Sequence, residues 1–246
     1  MYSFLLIGQS NMAGRGFRDE VAPIDNDRLY VLRNGRWQPM YVPVNPDRPF
    51  SGINLAESFA QACAKEYDTD VGLIPCADGG SCLDQWEPGG LLFDHAVAQA
   101  KLAMRTSVIA GVLWHQGESD CSDDRYPCYE EKCTRIFRAL REKLGLEDVP
   151  FLVGGLGDYL PLCTFLDVKN YFFINEMLEK IAREDENIGF VSAEGLTANP
   201  DQLHFNAQSL RAFGLRYFEV FRGMNRVIGA SAGQNQTISC APIERL

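Results

Sequence analysis

Apolar residues in this chain fall into short, nearly unbroken runs separated by longer stretches of helical period. Five runs have strand length: Tyr2-Ser3-Phe4-Leu5-Leu6-Ile7, Val71-Gly72-Leu73-Ile74-Pro75-Cys76, Val108 through Trp114, Pro150 through Leu156, and Ile188-Gly189-Phe190-Val191. Runs without polar alternation suit strands covered on both faces, as in a parallel sheet. Between and after them the spacing predicts helices over 52–67, 91–105, 126–144, 169–183 and 206–223. The last carries the clearest stripe, with Leu210, Phe213, Gly214, Tyr217, Phe218 and Phe221 on one face. Strands that alternate with helices predict a three-layer α/β/α sandwich around a five-stranded parallel sheet.

Residues 15–50 break this rhythm. Pro23, Pro39, Pro43, Pro46 and Pro49 punctuate them, leaving only short β-like pieces at 29–32 and 37–42. A long irregular segment inside a compact domain is usually a functional wall or lid. Trp37 and Tyr41 within it either line a cleft or pack the segment down. No linker or repeat divides the chain, so 1–246 reads as one domain with a mixed, polar tail from about residue 229.

Three polar clusters follow apolar runs: Gly8-Gln9-Ser10-Asn11-Met12, Ala77-Asp78-Gly79-Gly80-Ser81, and His115-Gln116-Gly117-Glu118-Ser119-Asp120. In a parallel sheet these ends share one edge, the edge where open α/β sheets hold ligands. Ser10 is therefore a candidate nucleophile, or else a plain helix cap. A serine hydroxyl needs a neighbouring base, and the chain has three histidines. His95 lies within a helix and His115 against a strand, whereas His204 sits in a polar loop with Asp201 three residues before it. That spacing lets a carboxylate hold one ring nitrogen while the other faces a serine. The paired glycines would let backbone N–H groups approach a ligand closely.

The blocks Gly8-Gln9-Ser10-Asn11-Met12, Trp114-His115-Gln116-Gly117-Glu118-Ser119-Asp120 and Asp201-Gln202-Leu203-His204 resemble those of the SGNH hydrolase superfamily. They are similar in particular to the sialate O-acetylesterase domain and carbohydrate esterase family 6, which includes acetylxylan esterases. Gly79-Gly80-Ser81 and Asp84-Gln85-Trp86 match that group in order and spacing. The resemblance implies a flavodoxin-like sheet and removal of O-acetyl groups from carbohydrates through an acetyl-enzyme, with no metal or organic cofactor. It assigns Ser10 as nucleophile, His204 as general base and Asp201 as the residue orienting it. The oxyanion hole would draw on the N–H of Ser10, an N–H of Gly79 or Gly80, and the Gln116 side chain.

Glu118 is the rival acid for His204 or a structural support, paired in that case with Arg15. Gln9 and Asn11 are expected to brace the nucleophile turn. Trp86 reads as a sugar-stacking platform or a loop anchor. The alternatives are an SGNH lipase or thioesterase acting on acyl chains and a catalytically silent carbohydrate-binding relative. The first would want an apolar tunnel where these loops are polar. The second would be expected to lack Ser10, Asp201 or His204.

The bulk composition narrows the partners. A net charge of −10 and a pI near 4.8 argue against nucleic acid or an anionic membrane surface. No apolar stretch has membrane-span length, and if Met1 is the native start the short apolar run without a basic lead is no signal peptide, giving a cytoplasmic expectation. Eight cysteines include no CxxC, and Cys121, Cys128 and Cys133 with His115 match no common zinc finger, so reduced, structural thiols are expected.

Overall fold

In a computed structural model, which describes residues 1–25 and 27–224, the five apolar runs become adjacent parallel strands. The tail expected from about residue 229 lies outside the described residues. The strands are β1 (Tyr2–Gly8), β4 (Val71–Pro75), β5 (Val108–His115), β6 (Phe151–Gly154) and β7 (Ile188–Val191). Their lateral order is β4-β1-β5-β6-β7, which is the 2-1-3-4-5 order of a flavodoxin-like sheet. The fold is a three-layer α/β/α sandwich, with helices covering both faces of the sheet.

Among the described residues the sheet has seven strands and not five. The two β-like pieces form a hairpin, β2 (Leu29–Arg33) and β3 (Arg36–Pro39), which extends the sheet beyond β4. β2 runs parallel to β4 and β3 antiparallel to β2. Its turn is Asn34-Gly35, both at positive φ, the residue pair that two-residue hairpins favour. Trp37 lies against Gly72 and donates from its ring N–H to Thr106 Oγ1 at 3.1 Å. Gly72 and Thr106 belong to the N-terminal end of the sheet, opposite Ser10. Trp37 therefore packs the hairpin down and lines no cleft at the strand ends.

Alternate residues of β1 feed two cores. Phe4 and Leu6 face one layer, and Leu5 and Ile7 the other. The first layer holds α1 (Ser10–Ala13), α2 (Leu55–Tyr67) and α6 (Ala207–Met224). The second holds α3 (Leu91–Ala103), α4 (Tyr129–Leu144) and α5 (Tyr171–Glu184). Between β1, α2 and α6, Phe4 meets Phe59 edge-on at 4.7 Å and Phe221 at 5.2 Å, arrangements that favour aromatic rings beyond simple burial. α2 begins with a capping box: Asn54 accepts from Ala56 N–H at 2.6 Å, and Glu57 accepts from Asn54 N–H at 2.8 Å. The Asn54 amide also donates to Ala13 O at 3.0 Å, fastening the start of α2 to the turn that carries Ser10.

No helix among the described residues is long and apolar enough to cross a membrane. Because Phe4 is fully buried at the centre of the aromatic group, Phe4→Ala is expected to cost about 3–5 kcal/mol. Urea denaturation followed by tryptophan fluorescence will measure that loss.

Candidate active site

Gly8 ends β1 in a backbone conformation, φ +135°, that side-chain-bearing residues rarely adopt. A Cβ there would stand 2.0 Å from His115 O, so only glycine lets β1 and β5 close at this point. The peptide that follows joins all three polar clusters. Asp78 N–H donates to Gly8 O at 3.0 Å, and Gln9 N–H donates to His115 O at 2.9 Å. Ser10 then opens α1, where its N–H has no intrahelical acceptor.

Ser10 Oγ lies 3.0 Å from His204 Nε2, although 194 residues separate them in sequence. His204 Nδ1 lies 2.7 Å from Asp201 Oδ2. A carboxylate beside Nδ1 requires the proton on that nitrogen, which leaves Nε2 as the acceptor for the Ser10 hydroxyl. Asp201 Oδ1 accepts from the backbone N–H of Leu203 at 2.9 Å and of His204 at 3.0 Å. Partial burial pushes the Asp201 carboxyl up. The His204 ring and the two backbone donors outweigh that and bring it down to about 2. Ser10 is 5% exposed, so the hydroxyl sits in a recess while His204 and Asp201 remain partly open to solvent.

The rival carboxylate is elsewhere. Glu118 is 1% exposed and accepts from the Asn11 amide at 2.5 Å, with His115 Nε2 at 3.2 Å. Burial pushes its carboxyl up, but His115 and Asn11 overcome this and hold it below the usual carboxylate range. Its expected partner Arg15 is instead engaged with Asp47, at 3.0 Å from Nη1 to Oδ1 and 2.7 Å from Nη2 to Oδ2. Sequence reasoning missed this pair. Asp47 lies in the proline-rich segment, where no local pattern announces a buried ion pair with side chains 4% exposed.

The Arg15–Asp47 pair corrects one expected donor. Gly79 N–H donates to Asp47 Oδ2 at 2.8 Å and is spent there. Gly80 N–H has no acceptor among the described residues, and Gly80, at φ +80°, borders open space. Of the two glycines, only Gly80 has a backbone donor to offer.

Gln116 also departs from expectation. It is fully buried, and its amide nitrogen faces Gln9 Oε1 at 3.3 Å, Ser81 O at 3.2 Å and Asp120 Oδ2. With two hydrogens and three acceptors, it braces the glycine loop and presents no spare donor. Gln9 Oε1 in turn accepts from Gly117 N–H at 3.4 Å and Ser119 N–H at 3.3 Å, so Gln9 ties the nucleophile turn to the cluster after β5. Trp86 is an anchor: fully buried, it donates to Ser81 Oγ at 3.0 Å and packs edge-on against Trp114. His115 is buried against Phe205 and Phe213, and His95 is exposed on α3. A cavity of about 810 Å³ between α2 and α6, lined by Gln61, Lys65, Leu215 and Phe218, holds no nucleophile beside a base.

The parallel α/β/α sheet, with a serine, a histidine and an acid gathered beyond its strand ends, has the fold of SGNH-like hydrolases. The model of the carbohydrate esterase, sialic acid-specific acetylesterase family matches residues 1–222, and the chain belongs to that family. It is a carboxylic ester hydrolase of the carbohydrate esterase class. A probable carbohydrate esterase of Arabidopsis thaliana is 28% identical over 246 residues, covering 89% of each chain. The solved structure of an Arabidopsis thaliana protein superposes with a TM-score of 0.82 at 25% identity, covering 90% of this chain and 98% of that one. The structure of NanS shares the fold, with a TM-score of 0.71 at 17% identity over 90% of this chain and 96% of its own.

The depressed Asp201 carboxyl has a consequence for stability. Its folded-state value lies below its ordinary one of 3.8, so the ionised group stabilises the fold above about pH 4. That contribution fades as pH falls towards 2. The stability difference between the wild type and Asp201→Asn is therefore expected to shrink as pH falls from about 4 towards 2. Urea titrations across that range will test the trend.

Proposed function

We propose that Ser10, His204 and Asp201 form a catalytic triad that removes O-acetyl groups from a carbohydrate through an acetyl-enzyme. The observation that carries this reading is the continuous contact from Ser10 Oγ to His204 Nε2 and from His204 Nδ1 to Asp201 Oδ2. It joins a strand-end serine to a base on a distant loop. Family membership supplies the substrate class, an O-acetylated sugar.

In the first half-reaction Ser10 Oγ attacks the acetyl carbonyl and its proton passes to His204 Nε2. The carbonyl oxygen takes up the negative charge, and the N–H groups of Ser10 and Gly80 are the donors disposed to receive it. Losing one such donor typically slows turnover by about 10²–10³-fold. Collapse of the tetrahedral intermediate breaks the bond to the sugar oxygen, which leaves as a hydroxyl with the proton from His204. In the second half-reaction His204 takes a proton from water, which attacks the acetyl-Ser10 ester. Acetate is released, and the proton returns to Ser10 Oγ. Asp201 keeps the imidazole in the required tautomer and stabilises its cation in both halves.

The test is acetate release from 4-nitrophenyl acetate and from a panel of O-acetylated sialic acids and acetylated xylo-oligosaccharides. Ser10→Ala and His204→Ala are each expected to lower kcat/KM by more than about 10⁴-fold. Full activity in Ser10→Ala would overturn the mechanism. Asp201→Asn should lose far more activity than Glu118→Gln, and the reverse order would transfer the acid's role to Glu118. The sugar panel ranks sialate against xylan. A chain-length preference for long acyl esters over acetate would favour the lipase reading.

A further inference from the structure

The 3.0 Å separation of Ser10 Oγ and His204 Nε2 must be held by something other than the two side chains themselves, since they belong to loops at opposite ends of the chain. The residue next to Ser10 makes the connection. Asn11 Oδ1 accepts from Phe205 N–H at 3.0 Å, and Asn11 Nδ2 donates to Leu203 O at 3.2 Å. Leu203 and Phe205 flank His204, so a single amide grips the backbone on both sides of the imidazole. The same Nδ2 also donates to Glu118 Oε1 at 2.5 Å.

The orientation of this amide is determined by its partners. A carbonyl oxygen and a carboxylate can only accept, so both must face the NH₂ group. Phe205 N–H can only donate, so it must face Oδ1. Asn11 is fully buried, and Glu118 nearly so. In such surroundings an unpaired amide or carboxylate is costly, and water does not substitute for a lost partner. Glu118 is itself held by the ring of His115, which is wedged between Phe205 and Phe213.

From this geometry we infer that Asn11, oriented by Glu118, is the positioning residue that sets His204 at proton-transfer distance from Ser10. The inference rests on the triad reading above. It gives Glu118 a part in the chemistry that acts through Asn11 and not through contact with His204 or substrate. A carboxylate suits this place because it can only accept, which denies the Asn11 amide its flipped orientation.

Substitutions separate this role from simple support. Asn11→Ala removes the grip on residues 203–205. Asn11→Asp keeps an acceptor for Phe205 N–H but turns acceptors towards Glu118 and Leu203 O. Glu118→Gln alone retains an amide oxygen for Asn11 and is expected to be the mildest change. In the double variant Asn11→Asp with Glu118→Gln, the introduced amide donates to the introduced carboxylate, while Leu203 O still faces an acceptor, so the rescue is partial.

The experiment measures kcat and KM on 4-nitrophenyl acetate for these four proteins, wild type and Ser10→Ala. Thermal melts and the rate of Ser10 phosphonylation by an organophosphate are recorded beside them. Misplacement of a catalytic group by about 1 Å costs on the order of 10²-fold. Asn11→Ala and Asn11→Asp should thus lose about that factor in kcat, with KM within about twofold. Phosphonylation should slow in parallel, and the double variant should recover about tenfold relative to Asn11→Asp.

A folded Asn11→Ala enzyme with wild-type kcat would overturn the inference, as would a double variant no faster than Asn11→Asp. Should Asn11→Asp fail to fold, Asn11→Ala decides by the same kcat criterion. Activity surviving in Ser10→Ala would overturn the triad itself. An inactive Ser10→Ala beside fully active Asn11 variants would remove only the positioning role.

Discussion

The peptide between Gly8 and Gln9 is the constraint on which the site depends. Its carbonyl accepts from Asp78 N–H and its N–H donates to His115 O, so one planar unit joins the loops after β4, β1 and β5. Two neighbouring strands in parallel register bring those loops to one edge, but pairing alone leaves the loops independent. Gly8 makes the union possible, because a side chain there would collide with the His115 carbonyl. Once that peptide is placed, Ser10 enters a helical turn with its N–H directed away from any intrahelical partner. The glycine loop and the His115–Asp120 segment are then fixed relative to the serine.

Beneath the turn the protein buries polar groups where a simple fold would bury apolar ones. Gln9, Asn11, His115, Gln116, Glu118 and Asp120 are all nearly inaccessible. Burying such groups is unfavourable unless each finds partners, and most do. Asp120 accepts from Leu83 N–H at 3.0 Å and from the Gln116 amide; burial still raises its carboxyl, with those bonds only partly opposing it. A polar network fixes direction as well as distance, which dispersion contacts between aliphatic chains do not. The Arg15–Asp47 pair does the same on the other side, where Asp47 consumes Gly79 N–H and leaves Gly80 N–H without an acceptor among the described residues.

The sheet and the three chemical residues were legible because they follow from local rules. Apolar runs mark strands buried on both faces, and the edge they share collects the polar clusters that follow them. Asp201 and His204 could be paired by their separation within one loop. The β2–β3 hairpin was harder to read, because prolines around it weaken the strand signal and the short, partly exposed β3 lacks an apolar run. The choice between Gly79 and Gly80 could not be made from sequence, since it turns on Asp47, 32 residues earlier. Gln116 was misleading, and Trp86 was left between two readings, for a similar reason. Residue type says what a side chain can donate, whereas the availability of that donor depends on partners supplied by distant segments.

The two acids near the site illustrate how environment separates roles that residue type cannot. Asp201 sits at a partly open loop and is satisfied by donors two and three residues away, so its site forms within its own loop. Its charge lies against Nδ1 of the imidazole, where it would stabilise the cation that the proposed mechanism requires. Glu118 is enclosed, and its accepting oxygen meets donors that are 107 residues away at Asn11 and on the preceding strand at His115. A carboxylate so enclosed would have to give up its bonds to Asn11 and His115 in any rearrangement that brought it to His204, and a buried charge stripped of its partners is costly. The open acid can respond to changing charge, and the enclosed one is suited to holding neighbouring groups still.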